Sequence, residues 1–167
     1  LRSKPDGPSK KQFHASTSGS GDLLGIHAAL VDNGALVSVD NVAVVERVLA
    51  AINARDLAAY IDLCRPDWEL VTPLAPLEGV LKGEAGIREF FSGLDEAAPT
   101  FRLEVESLQP FPGDRVLAFL LLTFVSEGGI AFSQEIANVY ELEQGKLRRV
   151  QVYRDRDKAR KAASGGA

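Results

Sequence analysis

The chain has no methionine, one cysteine, one tryptophan and two histidines in 167 residues, and each shortage excludes something. Without methionine, and opening on LRSKPDGPSKK, it is expected to be a processed chain, a fragment of a longer product, or a sequence with foreign residues at its start. The lone Cys64 rules out an intramolecular disulfide and a cysteine-rich metal site. It falls on the apolar face of an expected helix, so it reads as a small buried hydrophobe and not a nucleophile. Neither histidine, His27 included, has a partner at metal-ligand spacing, so no metal and no cofactor are expected.

Basic charge is also short. The net charge of −4 gives no global field for nucleic acid or an anionic membrane, and neither is an expected partner. The longest apolar run, LAFLLLTFV at 117–125, is far below the roughly 18 residues of a membrane-spanning helix and suits a buried strand. No signal-type apolar segment follows the N-terminal basic run. A cytoplasmic location is the expectation.

What is present suits one globular domain: 46% hydrophobic and 25% charged residues. Residues 1–22 are Ser-, Gly-, Lys- and Pro-rich, so residues 1–40 are expected to be a largely disordered extension with a short helix over 23–31. The domain is placed at 41–158. Asp40 or Asn41 caps a helix with Val42, Val45, Leu49 and Ile52 at helical spacing. Asp56 caps a second, DLAAYIDLC, stopped by Pro66. WELVT at 68–72 is strand-like, and a third helix after Gly83 carries the stripe Ile87, Phe90, Phe91 and Leu94. From Phe101 the period becomes that of strands, punctuated by Pro-Gly-Asp at 112–114, Gly128-Gly129 and Gln144-Gly145. Residues 159–167 are expected to be a polar tail. The fold class is α+β: helices segregated on one face of a curved, mostly antiparallel sheet.

Three short patterns occur in fixed order: N-x-x-D-L (Asn53, Asp56, Leu57), G-x-x-x-I-R-E-F (Gly83, Ile87 to Phe90) and Y-x-D (Tyr153, Asp155). With the element order, they resemble the SnoaL-like branch of the nuclear-transport-factor-2-like superfamily over residues 41 to about 158. The resemblance implies a cone of three helices on a strongly bent sheet, with any chemistry in its apolar mouth. The steroid isomerases of that superfamily need a carboxylate base before a proline at the end of the first strand; Thr72 stands there, before Pro73. Their two enolate donors match Val48 and Asn138. The epoxide hydrolases' charged trio matches Ile136, Asn138 and Val152, none of them charged. The cyclases' histidine also matches Asn138. A hydroxyl without an activating base cannot take a carbon-bound proton near neutral pH, so each inherited mechanism lacks its base.

Strand alternation assigns the inner face. Ile130, Phe132, Gln134, Ile136, Asn138, Tyr140 and Leu142 share one side; Ala131, Ser133, Glu135, Ala137, Val139 and Glu141 share the other. The expected ligand pocket comprises Tyr60, Trp68, Thr72, Phe91, Asn138, Tyr140 and Val152, with Thr72, Asn138 and Tyr140 as candidate catalytic groups. Asn138 either meets a ligand or satisfies backbone groups at a bend. Glu69 and Arg88 read as solvated or ion-paired, and Asp155 as the cap of a C-terminal helix. The expected function is binding of a small apolar or polyketide-like molecule without a known catalytic set. Two alternatives differ from it: a cofactor-free isomerase, cyclase or dehydratase, and a dimerisation or sensory module. A homodimer is expected through the outer sheet face at Ala131, Ser133, Ala137 and Val139. Cavity size discriminates: roughly 300 Å³ or more with a carboxylate favours the enzyme, the same without one a binder, and a closed cone the module.

Overall fold

The computed structural model describes residues 33–166. Helix α1 (Asn33–Ala54) starts well before the expected cap at Asp40 or Asn41, because no proline or glycine interrupts residues 35–54. Asn41 is therefore an interior helical residue, fully buried, and its amide donates to Asp114 Oδ1 at 3.2 Å. Residues 33–40, expected to belong to a largely disordered extension, are thus helical, while its residues 1–32, with the helix expected over 23–31 and His27, lie outside the described residues.

Asp56 caps α2 (Leu57–Leu63), its carboxylate accepting from the Ala59 N–H. Strand β1 (Cys64–Val71) begins four residues before the expected Trp68, so Pro66 lies inside the strand and not at a helix stop. A short α3 (Ala75–Glu78) and the two-residue β2 (Leu81–Lys82) follow. Helix α4 (Gly83–Ala97) then buries Ile87, Phe91 and Leu94, each worth about 1.5–3 kcal/mol of hydrophobic burial. Gly86 has to be glycine: a Cβ there would sit 2.9 Å from the Leu81 carbonyl carbon.

The meander forms as expected: β3 (Arg102–Phe111), β4 (Arg115–Val125), β5 (Ala131–Glu143) and β6 (Lys146–Tyr153). The order β2-β1-β6-β5-β4-β3 describes a curved, unclosed sheet in which only the β1–β6 pair is parallel. The N-x-x-D-L pattern gains a physical meaning here. Asn53 donates to the Leu103 carbonyl at 2.8 Å and accepts from the Leu103 N–H at 2.9 Å, docking the end of α1 onto β3. Arg55 donates to the Ala98 carbonyl at 2.8 Å and lies over Phe101, tying the same junction to the end of α4.

The last element corrects the expected tail. Residues from 159 onward are not simply polar: α5 (Arg156–Ala163) buries Ala159 and Ala163 on the outer sheet face against Leu117, Phe119, Ala137 and Val139. Asp155 caps it as expected, accepting from the Asp157 and Lys158 N–H groups. Arg156 and Arg160 lie over the Phe119 ring at 4.7 and 4.9 Å, and Arg115 donates to the Ala163 carbonyl at 2.9 Å. Two of the four residues expected at a dimer face, Ala137 and Val139, are thus covered by the chain's own helix. Beyond α5 the outer face carries ion pairs: Glu69 with Lys82 and Arg149, Arg148 with Glu141, Arg65 with Glu143. Among the described residues, no helix is long and apolar enough to cross a membrane.

Candidate functional site

The inner face of the sheet and the three long helical layers do not meet completely. They enclose a cavity of about 180 Å³. Helices contribute Ile52, Tyr60 and Phe90; the strands contribute Leu70, Leu103, Leu122, Ile136, Asn138, Tyr140, Val150 and Val152, with Thr72 just past β1 and Phe101 just before β3. Larger hollows exist, but they are open grooves; the largest, about 910 Å³ between Arg65, Asp67, Arg115, Glu141 and Arg148, runs across ion-paired surface. The smaller inner cavity is the better enclosed and the more apolar.

Register explains why Asn138 and Tyr140 face it. On β5, Asn138 lies opposite Ala118 and Val152, and Tyr140 opposite Val116 and Val150. Short neighbours on both adjacent strands leave the two polar side chains room to reach inward. Only 4% of Asn138 is exposed. Its amide nitrogen donates to the Tyr140 hydroxyl at 3.0 Å, and its amide oxygen has no partner among the described residues. Asn138 therefore makes no bond to a backbone bend. An orphaned buried acceptor costs about 1–3 kcal/mol, which side-chain packing alone does not explain.

The remaining polar groups are un-ionised. Burial pushes the Tyr140 and Tyr60 hydroxyls well above the ordinary phenol value, so both keep their proton and neither serves as a base at neutral pH. The Thr72 hydroxyl accepts from the Leu74 N–H at 3.2 Å. No carboxylate lines the cavity among the described residues. Burial likewise pushes the Cys64 thiol up to about 12, in keeping with a packing role. Among the described residues, no three His, Cys, Asp or Glu side chains converge at metal-binding distances.

Of the residues expected at a pocket, Tyr60, Thr72, Asn138, Tyr140 and Val152 line this cavity. Trp68 and Phe91 do not. Trp68 is completely buried behind Tyr60, ring edge to ring face at 6.0 Å, and Phe91 packs on the same tyrosine at 5.3 Å. Phe90 takes the place expected of Phe91, one residue earlier on the same apolar stripe. Ile130 and Phe132 share the parity of Asn138 but are 72% and 41% exposed, because the β4–β5 hairpin runs past the helical cover. On β6, Val150 and Val152 point inward. Leu122 gave no sequence signal: LAFLLLTFV is apolar throughout, since α5 covers the outer side of β4.

Thr72 and Val152 hold a second position. Both also border an outer groove formed with Pro73, Ala75, Pro76, Gln151 and Tyr153. They stand between that groove and the cavity.

A family model described as a SnoaL-like domain matches residues 45–150, more than half of the chain. No curated protein matches. Among solved structures, TerC co-crystallised with polyporic acid aligns with a TM-score of 0.63 and 23% identity, over 73% of this chain and 96% of that one. An NTF2-like protein of unknown function from Burkholderia pseudomallei K96243 aligns with a TM-score of 0.63 and 17% identity, over 74% and 96%. Bal32a, from a soil-derived mobile gene cassette, gives 0.64 and 22%, over 70% and 90%. Likeness at these identities concerns the fold. With the family match over the helices and the sheet that enclose the cavity, it leads to one conclusion: the chain belongs to the SnoaL-like domain family.

Proposed function

We propose that this domain binds a small, largely apolar molecule in the inner cavity and does not carry the superfamily's known catalytic sets. The observation supporting this most directly is an enclosed apolar space left open beside a buried, partnerless amide oxygen. A cavity of about 150 Å³ is enough to take benzene. The space of about 180 Å³ therefore suits one ring with small substituents, below the roughly 300 Å³ at which drug-sized sites begin. This narrows the expected polyketide-like partner to its smallest members. TerC, which shares this fold, was co-crystallised with polyporic acid, an organic molecule.

The enzyme alternative requires a group that takes a proton from carbon. Tyr60, Thr72, Asn138 and Tyr140 supply donors and acceptors but no base near neutral pH. The module alternative requires a closed cone, which is not what encloses the space described above.

Thermal unfolding with and without toluene tests the reading. At ten times its dissociation constant a ligand selective for the native state adds about 1.4 kcal/mol. The expected result is a higher Tm in the natural sequence and no response in Val152→Phe, whose added ring occupies the cavity mouth. No shift with toluene, indole or any other ring-sized apolar compound overturns it.

A further inference from the structure

We infer that the molecule held in the inner cavity is a single-ring compound carrying a neutral hydroxyl, a phenol or cyclic alcohol, bound through the Asn138–Tyr140 pair. The inference rests on the reading of the cavity as a binding site and adds what that site recognises.

The argument is a count of protons. An asparagine amide has two N–H donors and an acceptor oxygen; a tyrosine hydroxyl has one donor and accepts as well. One hydrogen bond joins the pair, from the Asn138 amide nitrogen to the Tyr140 oxygen at 3.0 Å. That leaves the second Asn138 N–H and the Tyr140 hydrogen to donate and the Asn138 oxygen to accept, and among the described residues the buried oxygen has no partner. A ligand hydroxyl completes a closed ring of three hydrogen bonds: Asn138 N–H to Tyr140 oxygen, Tyr140 O–H to ligand oxygen, ligand O–H to Asn138 oxygen. Each bond polarises the next.

Other groups do less. A bare hydrocarbon leaves the Asn138 oxygen orphaned. A ketone accepts only, so it can take the Tyr140 O–H but still leaves the Asn138 oxygen orphaned. A carboxylate or ammonium enters an enclosure with no charged lining residue to offset its desolvation. The burial that holds the Tyr140 phenol un-ionised keeps its hydrogen available for this ring.

The test compares p-cresol with toluene by titration calorimetry in the natural sequence, in Asn138→Leu and in Tyr140→Phe, with p-toluate as the charged control. The ratio of p-cresol to toluene affinity should fall about tenfold on Asn138→Leu, the worth of the hydrogen bonds removed. It should fall in the same direction on Tyr140→Phe, which retains the read-out should the leucine variant fail to fold. Toluene should still bind both variants, and p-toluate should bind none of the three proteins. An unchanged ratio in either folded variant, or p-toluate binding as well as p-cresol, overturns hydroxyl recognition while leaving an apolar site intact. Absence of binding by p-cresol and toluene alike removes the binding site itself, and this inference with it.

Discussion

Consecutive residues of β5 point to opposite faces of the sheet, and the two faces are finished differently. Outward, Ala137 and Val139 are covered by α5, whose Ala159 and Ala163 approach closely while two arginines cover Phe119. Inward, Asn138 and Tyr140 look onto unfilled space and share one hydrogen bond between them. One strand thus supplies a filled layer on one side and an unfilled, unsatisfied one on the other. Packing is not limiting in this chain. The inner space stays open although apolar side chains of several sizes line it.

The largest way to separate the two faces is pH. Tyr60, Tyr140 and Cys64 belong to the inner side, and burial raises all three above their ordinary values of 10.0, 10.0 and 9.0. A raised value in the folded state means stability that is complete below the ordinary value and lost as pH climbs beyond it. Stability should therefore fall progressively from about pH 9 upward, with three groups contributing. Asp155, which caps the outer helix, has the opposite sign: the Lys158 N–H bond, together with that of Asp157, lowers it below 3.8. Its contribution is complete above that value and disappears as pH falls, so acid should fray α5 first. Amide hydrogen exchange at acid and alkaline pH reads both; loss of the same amides at both extremes breaks the comparison.

Next in size, Phe119→Ala should cost about 3–5 kcal/mol in denaturant unfolding, since it empties the centre of the outer layer. Filling the inner vacancy should act the other way. Val152→Phe should gain about 0.5–2 kcal/mol, and a loss of that size would mean the space is smaller than its walls suggest. Smallest is the double change Asn138→Leu with Tyr140→Phe. Removing both members of a buried pair with an orphaned acceptor should be neutral or stabilising by about 1 kcal/mol in the same unfolding measurement. A cost above about 2 kcal/mol would assign the pair to holding the fold.

The order of elements was legible because each long element carried one strong period: helical from Val42 to Ile52 and from Ile87 to Leu94, alternating along β5. Asn138 and Tyr140 could be placed inward from alternation alone. What escaped had physical causes. The start of α1 was missed because capping residues at Asp40 and Asn41 fit a helix interior when Asn41 finds Asp114 across the structure. The packing of α5 was hidden by its composition: two alanines among arginines and lysines bury a narrow stripe that reads as solvated. Trp68 and Phe91 are apolar residues next to the right neighbours, and sequence cannot say which of two adjacent rings touches a void and which stands behind it.

Trp68 has a consequence for anyone handling this molecule. It is the chain's one indole, wholly shielded from water, with its nitrogen lacking a partner, and it touches Tyr60, which lines the cavity. Its fluorescence therefore comes from one defined position a single ring away from whatever occupies that space. The protein carries its own optical gauge of that space, with no label to attach and no second tryptophan to subtract.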